Sequence, residues 1–115
     1  MEVAGTYTDQ SNVNHGLIRF PTGTIELFDV PHAGTAAGQG TVPQNINAAG
    51  DIVGWYFDTN GVAHGFLRHH SGNIESFDYA DAVGGLFPIF NTQRNAIVGY
   101  YFDASGNLHG FLRTP

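Results

Sequence analysis

Lysine and cysteine are both absent from this chain. Without cysteine there can be no disulfide and no thiolate metal site, and the compartment is left open, since an exported protein can also lack thiols. Four Lys+Arg, all arginine, stand against ten acids, for a net charge of −6. That balance argues against nucleic acid and anionic membrane as partners, because both need basic patches. The opening MEVAGTYTDQ has neither a basic nor an apolar leader segment, so no signal peptide is expected there. No apolar run approaches the length of a membrane span. Helical apolar spacing is missing too, and Gly and Pro interrupt the chain too often for a helix.

What is present is repetition. Residues 52–68 read IVGWYFDTNGVAHGFLR, residues 97–113 read IVGYYFDASGNLHGFLR, and residues 3–19 give a worn version, VAGTYTDQSNVNHGLIR. Gly5, Gly54 and Gly99 are equivalent, as are His15, His64 and His109, and Arg19, Arg68 and Arg113. Each copy reads as a hairpin of two apolar runs around a turn. An acidic strand follows two of them, with Glu26 and Asp29 recurring as Glu75 and Asp78. A short strand precedes two of them, expected at 43–47 and 87–91, after the loops 35–42 and 81–86.

The expected strands number ten: 3–8, 14–20, 24–30, 43–47, 51–58, 63–69, 73–79, 87–91, 97–103 and 108–113. Four short strands per repeat of about 45 residues is the pattern of a β-propeller blade. The expected fold is all-β and antiparallel, one domain with a partial blade over 1–34, a full blade over 43–80 and a partial blade over 87–115. Propellers have about four to eight blades, so three imply a piece of a longer array or copies that close a ring together. The preferred reading is a homodimer that closes a ring of six partial blades. A single-chain β-trefoil or β-prism is the alternative.

The HGFLR strands resemble a bacterial family of extracellular HAF repeats, named for a His-Ala-Phe triplet. The triplets here are His15-Gly16-Leu17, His64-Gly65-Phe66 and His109-Gly110-Phe111. Residues 46–54, INAAGDIVG, are similar to the family's I-N-x-x-G-x-I-V-G, with Ile46-Asn47 matched to Phe90-Asn91 in the next copy. Phe28-Asp29-Val30-Pro31 is similar to its I-D-x-P. Two features depart from the family: Gly replaces Ala in every triplet, and Tyr79-Ala80 stands where Pro is expected after Asp78. The resemblance implies a β-repeat fold and export, and no particular reaction.

Several side chains are candidates for chemistry. His15, His64 and His109 would form a ring around a shared axis and could hold a ligand or metal. In the structural reading, each instead fastens its own hairpin. Asp58-x-Asn60-Gly and the matching Asp103 turn look like the start of a calcium loop. They lack its distal Glu, and the same residues suit a hairpin turn in which Asp caps backbone amides. Asn12 would take the left-handed position where the first copy lacks Gly.

Asn47, Asp51 and Asn91 could face a central channel, as metal-binding oxygens do in calcium-dependent propeller lactonases. That is a fold-level analogy, and a polar cap on the strand end is the alternative. Glu26/Asp29 and Glu75/Asp78 read as solvating an outer strand against edge pairing. By alternation Trp55 and Phe57 share one face and Tyr56 takes the other. Tyr56 and its counterpart Tyr101 are therefore the candidate surface aromatics for a small-molecule or carbohydrate ligand.

Two functions follow. One is a non-catalytic extracellular module for ligand binding or self-association. The other is a calcium-dependent hydrolase of a lactone or ester, with the metal polarising the carbonyl.

Overall fold

The computed structural model describes residues 2–115; Met1, the first residue of the expected opening unit, lies outside the described residues. The ten strands are β1 (Val3–Thr8), β2 (Asn14–Arg19), β3 (Ile25–Phe28), β4 (Gly40–Ile46), β5 (Ile52–Phe57), β6 (Ala63–Arg68), β7 (Ile74–Phe77), β8 (Leu86–Asn91), β9 (Ile97–Phe102) and β10 (Leu108–Arg113). They form three antiparallel units: β1-β2-β3, β4-β5-β6-β7 and β8-β9-β10. A single parallel bridge between Asn14 and Gly40 joins the first two into one seven-stranded sheet. The third unit is a separate sheet, and neither sheet closes into the barrel that a trefoil requires.

The three long hairpins share one turn. Asp58 N–H donates to the Val62 carbonyl and Gly61 N–H to the Asp58 carbonyl, each at 3.0 Å. The fourth turn residue needs positive φ: Gly61 has 78°, Gly106 81° and, as expected where glycine is lacking, Asn12 63°.

The short strands differ from expectation at their starts. β4 begins at Gly40 and takes in residues read as loop, with Pro43 inside the strand. Proline is tolerated there because the ladder shifts between Pro43 and Asn45, a bulge that removes the demand for its missing N–H. β8 repeats the device between Pro88 and Phe90.

Each proline lies opposite a repeat glycine, Gly54 or Gly99. A Cβ on Gly54 would collide with the Val42 carbonyl oxygen and sit 2.8 Å from the Pro43 Cα. At Gly99 the obstacles are the Phe87 carbonyl oxygen and the Pro88 Cα, again at 2.8 Å. The same bulge sets the correspondence between copies. Ile46 pairs with Ile52 and Asn91 with Ile97, so Asn91 is the counterpart of Ile46, and Asn47 corresponds to Thr92. The expected match of Ile46-Asn47 to Phe90-Asn91 is one residue out.

The units stack face to face. Ile18 of the first unit packs in one cluster with Ile52, Tyr56 and Phe66 of the second. Val53 and Leu67, from the other face of the second unit, pack with Ile97 and Phe111 of the third. Complete burial of each such aliphatic or aromatic side chain is worth about 1.5–3 kcal/mol. The molecule measures 46 × 35 × 19 Å. Its thin dimension is close to the ~20 Å length of a six-residue strand at about 3.3 Å per residue.

The glycine contacts generate a contrast. Gly54→Ala and Gly99→Ala force backbone atoms apart and should each cost about 1–3 kcal/mol, as overpacking does. Gly5→Ala, with nothing within 4 Å of its Cβ position, should change stability by no more than about 0.5 kcal/mol. Urea denaturation of the three variants checks this; equal losses at all three positions would contradict it.

Candidate functional site

The repeated histidine sits at the centre of a clamp. In the middle unit, Asp58 Oδ1 accepts from the backbone N–H groups of Asn60 (2.8 Å) and Val62 (3.0 Å). Its Oδ2 lies 2.6 Å from His64 Nε2. The other ring nitrogen, Nδ1, lies 2.6 Å from Asp78 Oδ1, just beyond the end of β7. One imidazole thus ties the β5–β6 turn to the outer strand. The Tyr56 ring covers the imidazole, with centroids 5.3 Å apart.

The first unit repeats this arrangement. Asp9 caps Ser11 and Val13, His15 Nε2 meets Asp9 at 2.8 Å, and Nδ1 meets Asp29 at 2.7 Å. The third unit keeps the Asp103–His109 contact at 2.8 Å and the caps on Ser105 and Asn107. Among the described residues, no carboxylate meets His109 Nδ1.

An imidazole with a carboxylate at both nitrogens can donate to both only when protonated. His15 is accordingly raised above its usual range, first by its bond to Asp9 and then by Asp29. For His64, burial pushes downward, and the bonds to Asp58 and Asp78 outweigh it to give a net rise. Asp9, Asp58 and Asp103 are held below the usual carboxylate range, chiefly by the imidazole and also by the backbone amides they cap.

His15, His64 and His109 are each bonded within their own unit. Among the described residues no group of three or more His, Asp or Glu side chains is arranged to hold a metal. Asp58 and Asp103 have both oxygens engaged. Asn60 contributes its backbone amide to the turn.

Tyr56 and Tyr101 are buried, contrary to their expected place on the surface, at 7 % and 8 % exposure. The reason is that both stand on the face turned to the preceding unit: Tyr56 shares a core cluster with Ile18, and the Tyr101 ring lies 5.2 Å from that of Tyr79. The acidic pairs do more than solvate an edge. Glu26 accepts from Arg68 at 3.1 Å and Glu75 from Arg113 at 3.0 Å, each across a unit boundary. The same guanidinium groups lie over the Phe28 and Phe77 rings, at 5.1 and 4.5 Å.

Asn47, Asp51 and Asn91 do come together, around a residue the sequence reading missed. Asn95, at a φ of 61°, donates from its side chain to Asp51 Oδ2 at 2.8 Å. Its Oδ1 accepts from Asn47 (3.1 Å) and Asn91 (3.0 Å). Asp51 Oδ1 accepts from the His70 N–H at 2.8 Å. Asn91, almost fully buried, also donates to the Asp51 carbonyl and accepts from Asn45. Burial pushes the Asp51 carboxyl up, but the donors from Asn95 and His70 outweigh it and leave it below its usual range. The network joins the β4–β5 and β8–β9 turns.

One further signal was available in the sequence. Asp29 and Asp78 each lie fourteen residues after their histidine. Asn95 carries no repeat signal. No protein-family profile, curated protein or solved structure matches the chain significantly.

Two outcomes follow from these bonds. Histidines raised above 6.5 contribute stability that is complete below that pH and lost as pH climbs through their folded values. Aspartates lowered below 3.8 contribute stability present above that pH and lost as it falls through theirs. The melting temperature should therefore be highest between these limits and decline as pH rises above about 6.5. A His15→Asn/His64→Asn variant should lose most of that alkaline decline; an unchanged slope would show that the clamps do not titrate. Millimolar calcium or a chelator should leave the melting temperature in place, because a bound ion would shift it by mass action. A calcium-dependent rise that Asp58→Asn or Asp51→Asn removes would contradict the assignment of these carboxylates to internal bonds.

Proposed function

We propose that this chain is a non-catalytic β-repeat module that works by association. Its three units stack as propeller blades do, and the faces left open at the two ends of the stack receive another copy. The observation that carries this reading is the asymmetry of equivalent positions. Val53 and Leu67, at the boundary with the third unit, are 0 % and 3 % exposed; their counterparts Val98 and Leu112 are 41 % and 64 % exposed. At the other end Val3 is 50 % exposed, whereas its counterparts Ile52 and Ile97 are fully buried.

The two open faces are the complementary halves of a boundary that occurs twice inside the chain. Joining the third unit of one copy to the first unit of another would extend the same contact. Such a head-to-tail interface closes into a ring when the rotation permits, and two copies would supply six units. The resemblance of the HGFLR strands to extracellular HAF repeats supports an exported setting. The engagement of Asp51, Asp58 and His64 in internal bonds favours the binding reading over metal-dependent hydrolysis.

Light scattering across a concentration series tests the proposal. The expected result is a mass of twice the chain, reduced to that of one chain by Leu112→Asp with the melting temperature of the residual monomer little changed. A single-chain mass at every concentration would overturn it.

A further inference from the structure

The first and middle units each end on a four-residue outer strand held in the same way. β3 pairs with β2 through Gly16↔Phe28, Leu17↔Leu27, Ile18↔Glu26 and Arg19↔Ile25. β7 pairs with β6 through Gly65↔Phe77, Phe66↔Ser76, Leu67↔Glu75 and Arg68↔Ile74. In both, the phenylalanine ring lies on the glycine of the His-Gly pair. A Cβ on Gly65 would stand 2.6 Å from the Phe77 ring, and one on Gly16 would meet the Phe28 ring at the same kind of distance. In both, the Asp after the phenylalanine reaches the histidine Nδ1.

The third unit has every receiving part of this arrangement, and among the described residues no such strand lies on it. Among the described residues, β10 pairs with β9 alone. The nearest atom to a Cβ on Gly110 is the Gly99 carbonyl oxygen at 3.9 Å, so the ring seat on the glycine is vacant. Among the described residues His109 Nδ1 meets no carboxylate, whereas both of its counterparts do. A groove of about 380 Å³ runs along this edge, between Gly110–Arg113 and the Phe77–Tyr79 end of the middle unit.

We infer that the free edge of β10 is a strand-addition site for an extended segment of the pattern apolar-acidic-x-Phe-Asp, which a peptide of that pattern supplied in trans fills. It would lie antiparallel to β10, with its apolar residue opposite Arg113, its acid opposite Leu112, its phenylalanine on Gly110 and its aspartate on His109 Nδ1. Backbone bonds to the edge supply affinity, and the glycine seat and the histidine supply sequence preference. The site deepens the binding reading given above. It uses the edge of the third unit and not its open face, so peptide binding and association of copies can fail independently.

The probe is a fluorescently labelled peptide copying residues 71–80, SGNIESFDYA, titrated into the intact protein by anisotropy. Saturable binding at one site is expected. Phe77→Ala in the peptide should weaken it about tenfold or more, the equivalent of roughly 1.5 kcal/mol of lost aromatic burial. Asp78→Asn in the peptide should weaken it several-fold. Gly110→Val in the protein should have an effect comparable to the phenylalanine change, because the branched side chain fills the ring seat. The equivalent change in the peptide covers the case in which that variant folds poorly. Absence of saturable binding would overturn the inference. So would binding indifferent to both Phe77→Ala and Gly110→Val, or a dimer whose β10 edges are protected from hydrogen exchange and not released by peptide.

Discussion

Each unit is a sheet one layer thick with apolar side chains on both faces. Val53 and Leu67 point one way and Ile52 and Phe66 the other, and all four are buried. A single such sheet cannot hide both faces from water, so the unit acquires a core only from its neighbours. The stacking of units is therefore the condition on which the rest depends. It explains why the repeat preserves hydrophobic character at adjacent strand positions, where a sheet with one wet face would alternate. It also explains the reach of Arg68 and Arg113 across the unit boundaries to the Glu and Phe of the preceding acidic strand.

Within a unit, the carboxylate–imidazole clamp solves a different problem. β3 and β7 have four residues each, and a strand that short gains few ladder bonds against the entropy of ordering it. The clamp fixes its far end to the turn between the two longer strands. One aspartate caps the turn and orients the imidazole, and the imidazole holds the second aspartate. Each group thus has two roles in the first two copies, and the third keeps the Asp turn and the histidine together through the Asp103–His109 contact.

Much of the fold was legible in the sequence because the repeat multiplied each signal. The ten strands, the three units and the turn chemistry of Asp58, Gly61 and Asn12 could be read from spacing and residue type alone. The start of β4 could not, because Pro43 argues for a boundary unless the bulge that excuses it is known. The exposure of Tyr56 and Tyr101 was misread because alternation assigns sides, and only stacking decides whether a side is wet. Asp29 and Asp78 were seen as a pair with Glu26 and Glu75. Their bond to histidine joins residues fourteen apart across a strand pair, a relation that local periodicity does not encode. Asn95 was invisible for the opposite reason: it occurs once, and its importance lies in linking two turns from different units.

The single parallel bridge at Asn14–Gly40 leaves most of the coupling between the first and middle units to side-chain packing, and the third unit shares no ladder with the middle one at all. Cooperativity in such a stack passes between neighbours through side-chain interfaces, with little continuous hydrogen bonding to carry it. The end units each have one dry boundary and the middle unit has two. Amide protection should consequently be graded along the chain, with β5 and β6 exchanging last and β9 and β10 opening as a cooperative group of their own. The protein then behaves less as one indivisible domain than as a short linear polymer of sheets, whose cohesion is set by how many boundaries are filled.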